Sequence, residues 1–190
     1  MNANNARQRL IDTTARLLQT AGYHHTGLNQ IVAESGAPKG SLYHYFPGGK
    51  VALAVAALDQ SASQLAQSLA QMCLAHADPE TAIGAVLDHF MAELESSGFT
   101  KGCPVATTTL EEAAVTPEIR EACARAYRLW QDGLDAFLAG HGVRESAFLA
   151  ETLLMLIEGA LLLSRAQHSC DPLRRLQARV PTLIRSAQGK

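Results

Sequence analysis

Thr26-Gly-Leu-Asn-Gln-Ile-Val-Ala-Glu-Ser-Gly-Ala-Pro-Lys-Gly-Ser-Leu-Tyr-His-Tyr-Phe46 holds two short helical patterns around one tight break. Leu28, Ile31 and Val32 fall three and four positions apart, so they share one side of a helix that Thr26 would cap and Gly36 would end. Ala37-Pro38 supplies the turn, and a third helical stretch, Lys39 to Phe46, starts directly after it. Two short helices joined by a Gly-containing turn are what a helix-turn-helix requires. In that motif the second helix enters the DNA major groove, where exposed side chains near its N-terminus reach base edges. Lys39, Ser41 and His44 are placed for that role, while Gly40, lacking a side chain, allows close approach or is simply tolerated at a helix start. Tyr43 and Tyr45 read either as half-buried packing rings or as phosphate anchors. Leu42 and Phe46 are expected to hold the helix in place from inside.

Working outward, Leu10, Ile11, Thr14, Leu17, Leu18 and Ala21 form one stripe of a first helix from about Ala6, which Gly22 stops. Downstream, Pro47-Gly48-Gly49 breaks the chain, and Lys50 opens a long helix with Leu58, Ala62, Leu65, Leu69 and Met72 at helical spacing. The dipole of a helix prefers an acid in its first turn, so a lysine there points to a phosphate contact. Asp78-Pro79, Thr116-Pro117 and Asp171-Pro172 each read as an N-cap followed by the first helical residue. They open helices bearing Ile83, Val86, Leu87, Phe90, Met91 and Leu94; then Ile119, Cys123, Tyr127, Trp130, Leu134 and Phe137; and last Leu173, Leu176, Val180, Leu183 and Ile184. The stretch from Glu145 to Ala166 is apolar on nearly every side, which calls for the chain's own core on one face and a partner on the other. Strand-like alternation is missing, so the expected fold is all-α: a three-helix DNA-binding head at residues 1–49 and a helical effector-binding and dimerisation body at residues 50–190.

Bulk properties agree with that division. With 47% hydrophobic and 18% charged residues, the 190-residue chain has the composition of a globular protein and not of a disordered one. Net charge is −2, yet residues 1–58 carry five cations against two acids, and the remainder carries eleven against sixteen. A basic head on an acidic body offers one face to a polyanion. The polar start, Met1 to Arg9, lacks a targeting pattern, and the apolar run Leu153 to Leu163 falls short of the roughly 20 residues that a membrane span needs, so a cytoplasmic protein without a membrane partner is expected. Cys73, Cys103, Cys123 and Cys170 form no C-x-x-C pair, and the histidines are scattered, so neither a disulfide framework nor a metal site is expected. Catalytic motifs such as G-x-S-x-G, a P-loop or H-E-x-x-H are missing, and with them any reason to expect an enzyme or a cofactor.

Residues 26–46 followed by Lys50 resemble the helix-turn-helix of the TetR family of bacterial repressors, and the resemblance extends over residues 7 to 58. Phe46-Pro-Gly-Gly-Lys50 and Gly102-Cys-Pro-Val-Ala106 are similar to features of a TetR-type branch associated with drugs, flavonoids or similar aromatics. The resemblance implies a homodimer that binds a palindromic double-stranded DNA operator and leaves it when a small effector binds the body. It also implies that Tyr43 contacts phosphate, within a DNA-binding set of Thr26, Lys39, Gly40, Ser41, Tyr43, His44, Tyr45 and Lys50. Apolar and aromatic residues at helical spacing nominate Phe90, Met91, Leu110, Tyr127, Trp130 and Met155 for an effector pocket, although such stripes also make ordinary core. Ile157, Gly159, Ala160 and Leu162, with Leu176, Val180 and Leu183 of the final helix, are the candidate dimer interface, the two helices forming a four-helix bundle across a two-fold axis. An alternative is a thiol switch at Cys103, at a helix start where the dipole lowers a thiol's pKa, and a further one is a DNA-binding architectural protein that senses nothing.

Overall fold

The computed structural model of the chain describes residues 3–188. Those residues form α1 (Ala3–Ala21), α2 (Leu28–Ser35), α3 (Lys39–Tyr45), α4 (Gly49–Leu74), α5 (Pro79–Ser96), α6 (Pro104–Glu112), α7 (Pro117–Gly140), α8 (Ser146–Gln167), α9 (Asp171–Gln177) and α10 (Val180–Gln188). No strand occurs among them.

Packing divides the chain into two compact units, Met1–Ser63 with Cys103–Ala126 and Gln64–Gly102 with Tyr127–Lys190. The expected boundary at 49/50 therefore differs from the one that packing draws. Three short helices bury too little apolar surface to stand alone, and in the first unit α1 packs against α6 as well as α2 and α3. Its interior holds Leu10, Leu18, Ile31, Leu42, Leu53, Leu58, Val105 and Ile119. Arg16 on α1 pairs with Glu34 on α2, and the arginine, with Gln30, holds the Glu34 carboxyl below its ordinary range. In the second unit α5 packs against α8, α9 and α10 around Ile83, Leu87, Leu94, Leu138, Leu153, Leu173 and Ile184.

Local signals explain most helix ends. Gly36 takes a left-handed φ of 60° at the end of α2. Asp78 caps α5, accepting the Thr81 amide and hydroxyl, both at 2.8 Å. Three expectations need correction. Thr26 does not cap α2: Gly27 stands at the N-cap, and the Thr26 hydroxyl turns back to the Gly22 carbonyl at 2.6 Å. The expected single last helix is two, α9 and α10, because Pro181 has no N–H to give and its ring conflicts with the carbonyl four residues earlier. Asp171, expected as the N-cap, lies inside the first turn of α9, with Cys170 at the N-cap.

By length and composition alone the 22 residues of α8 are apolar enough to cross a membrane, a property that a core helix shares. Leu149, Leu153, Ile157, Ala160, Leu161 and Ser164 turn inward to the second unit's core. Phe148, Met155, Leu156, Leu162 and Leu163 turn out.

Candidate nucleic-acid interface and effector body

Burial of Leu42 and Phe46 fixes which way α3 faces. With those two inward, Lys39, Gly40, Tyr43 and His44 lie on the outer face, Tyr43 with 55% of its surface exposed, and Ser41 and Tyr45 flank it half-buried. A Cβ placed on Gly40 would meet no atom within 4 Å, so the backbone there is open to a close approach. The His44 and Tyr45 rings meet edge to face at 4.8 Å. The first turns of α2, α3 and α4 contain no acid, which leaves their N-terminal dipoles unneutralised. An exposed polar face on a short helix suits base edges, and helix ends without acids suit phosphates.

Lys50 is folded onto the protein. Its ammonium lies 4.1 Å from the centre of the Tyr23 ring, and burial lowers its pKa against the opposing pull of Glu112 and Glu111. Arg7 and Arg9, which sequence reasoning did not single out, also border the motif. The Arg7 guanidinium sits 5.6 Å from the Phe46 ring centre, and Arg9 reaches the Gly36 turn with its buried Nε lacking a hydrogen-bond partner. Their signal was present as two cations at the start of α1, but nothing in their spacing said which face they occupy.

In the second unit, Phe90 packs against two apolar clusters, one holding Met91, Leu94 and Leu153, the other Cys73, Ala82 and Val86 with Leu69, Met72 and Phe137. Trp130 is buried, its ring edge to face with Tyr127 at 5.6 Å. The outer side of α8 meets α9 and α10 in a groove of about 530 Å³ lined by Met155, Leu156, Gly159, Leu163, Leu176 and Leu183 among others. Cys103 is half-exposed at the N-cap of α6, its Sγ accepting the Ala106 amide at 3.4 Å. The other three thiols are buried, and burial pushes each up.

Residues 10–57 match the model of the bacterial regulatory proteins of the tetR family, and residues 79–179 match that of the LmrA/YxaF-like transcriptional regulator C-terminal domain. The chain belongs to the TetR family. It is similar to the HTH-type transcriptional regulator LmrA of Bacillus subtilis, 36% identical over 97% of this chain and all of that one. It is also similar to two solved structures at 25% identity: the reduced form of Escherichia coli NemR, with a TM-score of 0.83 over 92% of this chain and 94% of the other, and the regulatory protein TetR from Rhodobacter sphaeroides, with 0.82 over 95% and 97%. As a member of this family the chain is a DNA-binding transcriptional regulator with a helix-turn-helix head and a helical C-terminal body.

In this TetR-family chain several nominated residues stand elsewhere than expected. Thr26 is 1% exposed, and its hydroxyl holds the α1–α2 connector instead of facing outward. Leu110 on α6 is 79% exposed, and Met155 on α8 is 61% exposed in the outer groove, on the side of α8 away from the core that Met91 joins. Among the interface candidates Gly159 and Leu162 face out and Leu183 is half-buried on the groove, whereas Ile157 and Val180 are buried in the chain's own core, and Ala160 and Leu176 join that core while also lining the floor of the groove. Helical phase decides this: Leu153 and Ile157 mark the inner face, so positions a half-turn away are the outer one.

The two short motifs acquire physical reasons. Gly49 in the first has φ 62°, and at Gly48 a Cβ would press on Ala52 at 3.0 Å. Gly102 in the second lies against the Arg165 guanidinium, which donates to the Thr100 carbonyl at 3.2 Å.

Proposed function

We propose that the chain is a homodimeric repressor that binds an inverted-repeat operator through the outer faces of its two α3 helices and leaves it when a mostly apolar, aromatic effector enters the body. The observation that carries the DNA side is the outer face of α3, where Lys39, Tyr43 and His44 stand free of the core that holds Leu42 and Phe46. Lys39 and His44 read base edges, and Tyr43 anchors phosphate. The apolar stripe of α8 at Phe148, Met155, Leu156, Gly159, Leu162 and Leu163 supports a second copy as the occupant of that face, because its positions repeat at three-and-four spacing while the opposite side already fills the chain's own core. Such a protein works in the cytoplasm, where its operator is.

For the effector, the aromatic and thioether side chains Phe90, Met91, Tyr127 and Trp130 of the second unit supply soft, rearrangeable packing. Helix α4 starts directly after the helix-turn-helix, and its far end packs Leu69, Met72 and Cys73 with Ala82, Val86 and Phe90, so a tilt of it changes the separation of the two heads. Thermodynamic reciprocity then requires operator DNA to weaken effector binding by the factor that effector weakens operator binding, a coupling of about 1–3 kcal/mol. Trp130, the only tryptophan, reports this. Titrating aromatic compounds by its fluorescence, with and without operator, is expected to return two affinities differing by that factor; equal affinities for a compound bound in the body would show that it is no inducer. The half-exposed thiol at the start of α6 favours a second reading, a switch through Cys103. Loss of DNA binding on oxidation, abolished in Cys103→Ser and independent of any aromatic compound, would select it.

A further inference from the structure

Both connectors that flank the helix-turn-helix lead to one pair of acids on α6. Gly22 ends α1 at φ 80°, a left-handed turn that brings the next two amides round to one side. One Glu111 carboxylate oxygen, Oε2, accepts both, from Tyr23 at 2.5 Å and from His24 at 3.1 Å. The His24 ring continues the contact, with Nε2 at 3.1 Å from the Glu111 carbonyl and 3.6 Å from a Glu112 oxygen. Glu112 in turn accepts the Thr116 hydroxyl. At the far end of the motif, Lys50 lies over Tyr23 within the field of the same two carboxylates.

We propose that Glu111 is a positioning residue for DNA recognition, its carboxylate seated on the Tyr23 and His24 amides fixing the α1–α2 connector and through it the pose of the recognition helix. The coupling runs through fixed contacts. Tyr23 accepts the Thr26 amide at 3.1 Å, and the buried Thr26 hydroxyl is bonded to Gly22, so the connector moves as a piece with the start of α2. Glycine at position 22 is favoured by its φ, and a Cβ there would push the Glu111 carboxylate out of its seat.

Charge and position make opposite forecasts, which gives a clean test. Removing a negative charge from a DNA-binding protein strengthens its binding to every sequence, whereas releasing the connector weakens only the binding that depends on the pose of α3. Glu111→Gln keeps the length and an acceptor oxygen but loses the charge; Glu111→Asp keeps the charge but falls one methylene short of the amides. The probes are a duplex that the full-length wild-type chain selects from a random-sequence pool, and sonicated genomic DNA, with amide exchange at Tyr23 and His24 measured in parallel. Glu111→Asp is expected to bind the selected duplex at least about tenfold more weakly, the scale of a single charge-assisted hydrogen bond and so a lower bound for the two amide contacts, with faster exchange at both amides and unchanged binding to genomic DNA. Glu111→Gln is expected to hold the selected duplex as tightly as the wild type or more tightly. Equal weakening by both variants, or wild-type affinity and exchange in Glu111→Asp, would overturn the assignment. If the wild type selected no duplex at all, the DNA-binding reading itself would have failed, a separate outcome.

Discussion

Lys39 and Lys50 are both basic and both belong to the first unit, yet their side chains are placed differently. Lys39 is exposed on the outer face of α3, while Lys50 is partly withdrawn onto Tyr23. Lys39→Ala is therefore expected to cost about 1–3 kcal/mol of discrimination between operator and mutated operator, whereas Lys50→Ala lowers affinity for all sequences alike and reduces the salt slope by about one. Binding titrations over a salt series check both; a Lys50 variant with the full slope would mean that the ammonium stays on Tyr23 in the complex. Asp78 offers a pH test. The Thr81 amide, then its hydroxyl, holds the Asp78 carboxyl below its ordinary range, so the cap's stabilisation is complete above the ordinary carboxylate value and is lost as pH falls through the lowered one. Asp78→Asn keeps an acceptor at the cap and is expected to flatten the acid limb of the thermal midpoint; an unchanged limb would remove the cap from the account. The outer face of α3 was legible in the sequence because Leu42 and Phe46, one turn apart, set its phase. Thr26 was misread because a threonine at a helix start can bond forward as a cap or backward to the preceding turn, and spacing does not choose between them. The grip of Glu111 on Tyr23, 88 positions away, left no local trace.

At the scale of elements, punctuation by Gly and Pro located nearly every helix, and the error at the last one came from reading apolar periodicity through Pro181. Periodicity also found α8 as a two-sided helix without settling which side was which, since nearly every position on it is apolar. The end of α8 carries a second feature that no pattern announces. Phe99 and His168 are non-glycine residues with φ of 60° and 47°, their rings pack at 5.4 Å, and Arg165 reaches the Phe99 and Thr100 carbonyls. Left-handed backbone at such residues costs on the order of 1–3 kcal/mol each and persists only where neighbours hold it. Arg165→Ala is accordingly expected to speed amide exchange across residues 97–102 while leaving the core of α5 and α8 protected. Exchange there at the wild-type rate would show that the loop holds itself. On the outer face of α8, Leu162 is 58% exposed in the single chain, so Leu162→Asp is tolerated by a monomer but places an unpaired charge in a dimer contact. Sedimentation is expected to show a folded monomer at concentrations where the wild type is a dimer; a stable Leu162→Asp dimer would move the interface elsewhere.

For the whole molecule, an outward polar face on α3 and an outward apolar face on α8 are two surfaces that a lone chain leaves unused. Both find a use at once if two chains join through α8 and present two α3 helices related by a two-fold axis, and the proposed repressor follows from that pairing. The all-α class, the head and the family were readable from residues 26–46 and the spacing of apolar positions around them. The division into compact units was not, because α6 joins the head through contacts distant in sequence. Which DNA the protein prefers decides between the paired account and a single-chain one. Duplexes selected by the full-length chain from a random pool, with the mass of each protein–DNA complex measured by sedimentation, test this directly. The account predicts an inverted repeat with half-sites about one helical turn apart, or a multiple of it, and an even number of chains on each duplex. An asymmetric site bound by one chain would contradict it.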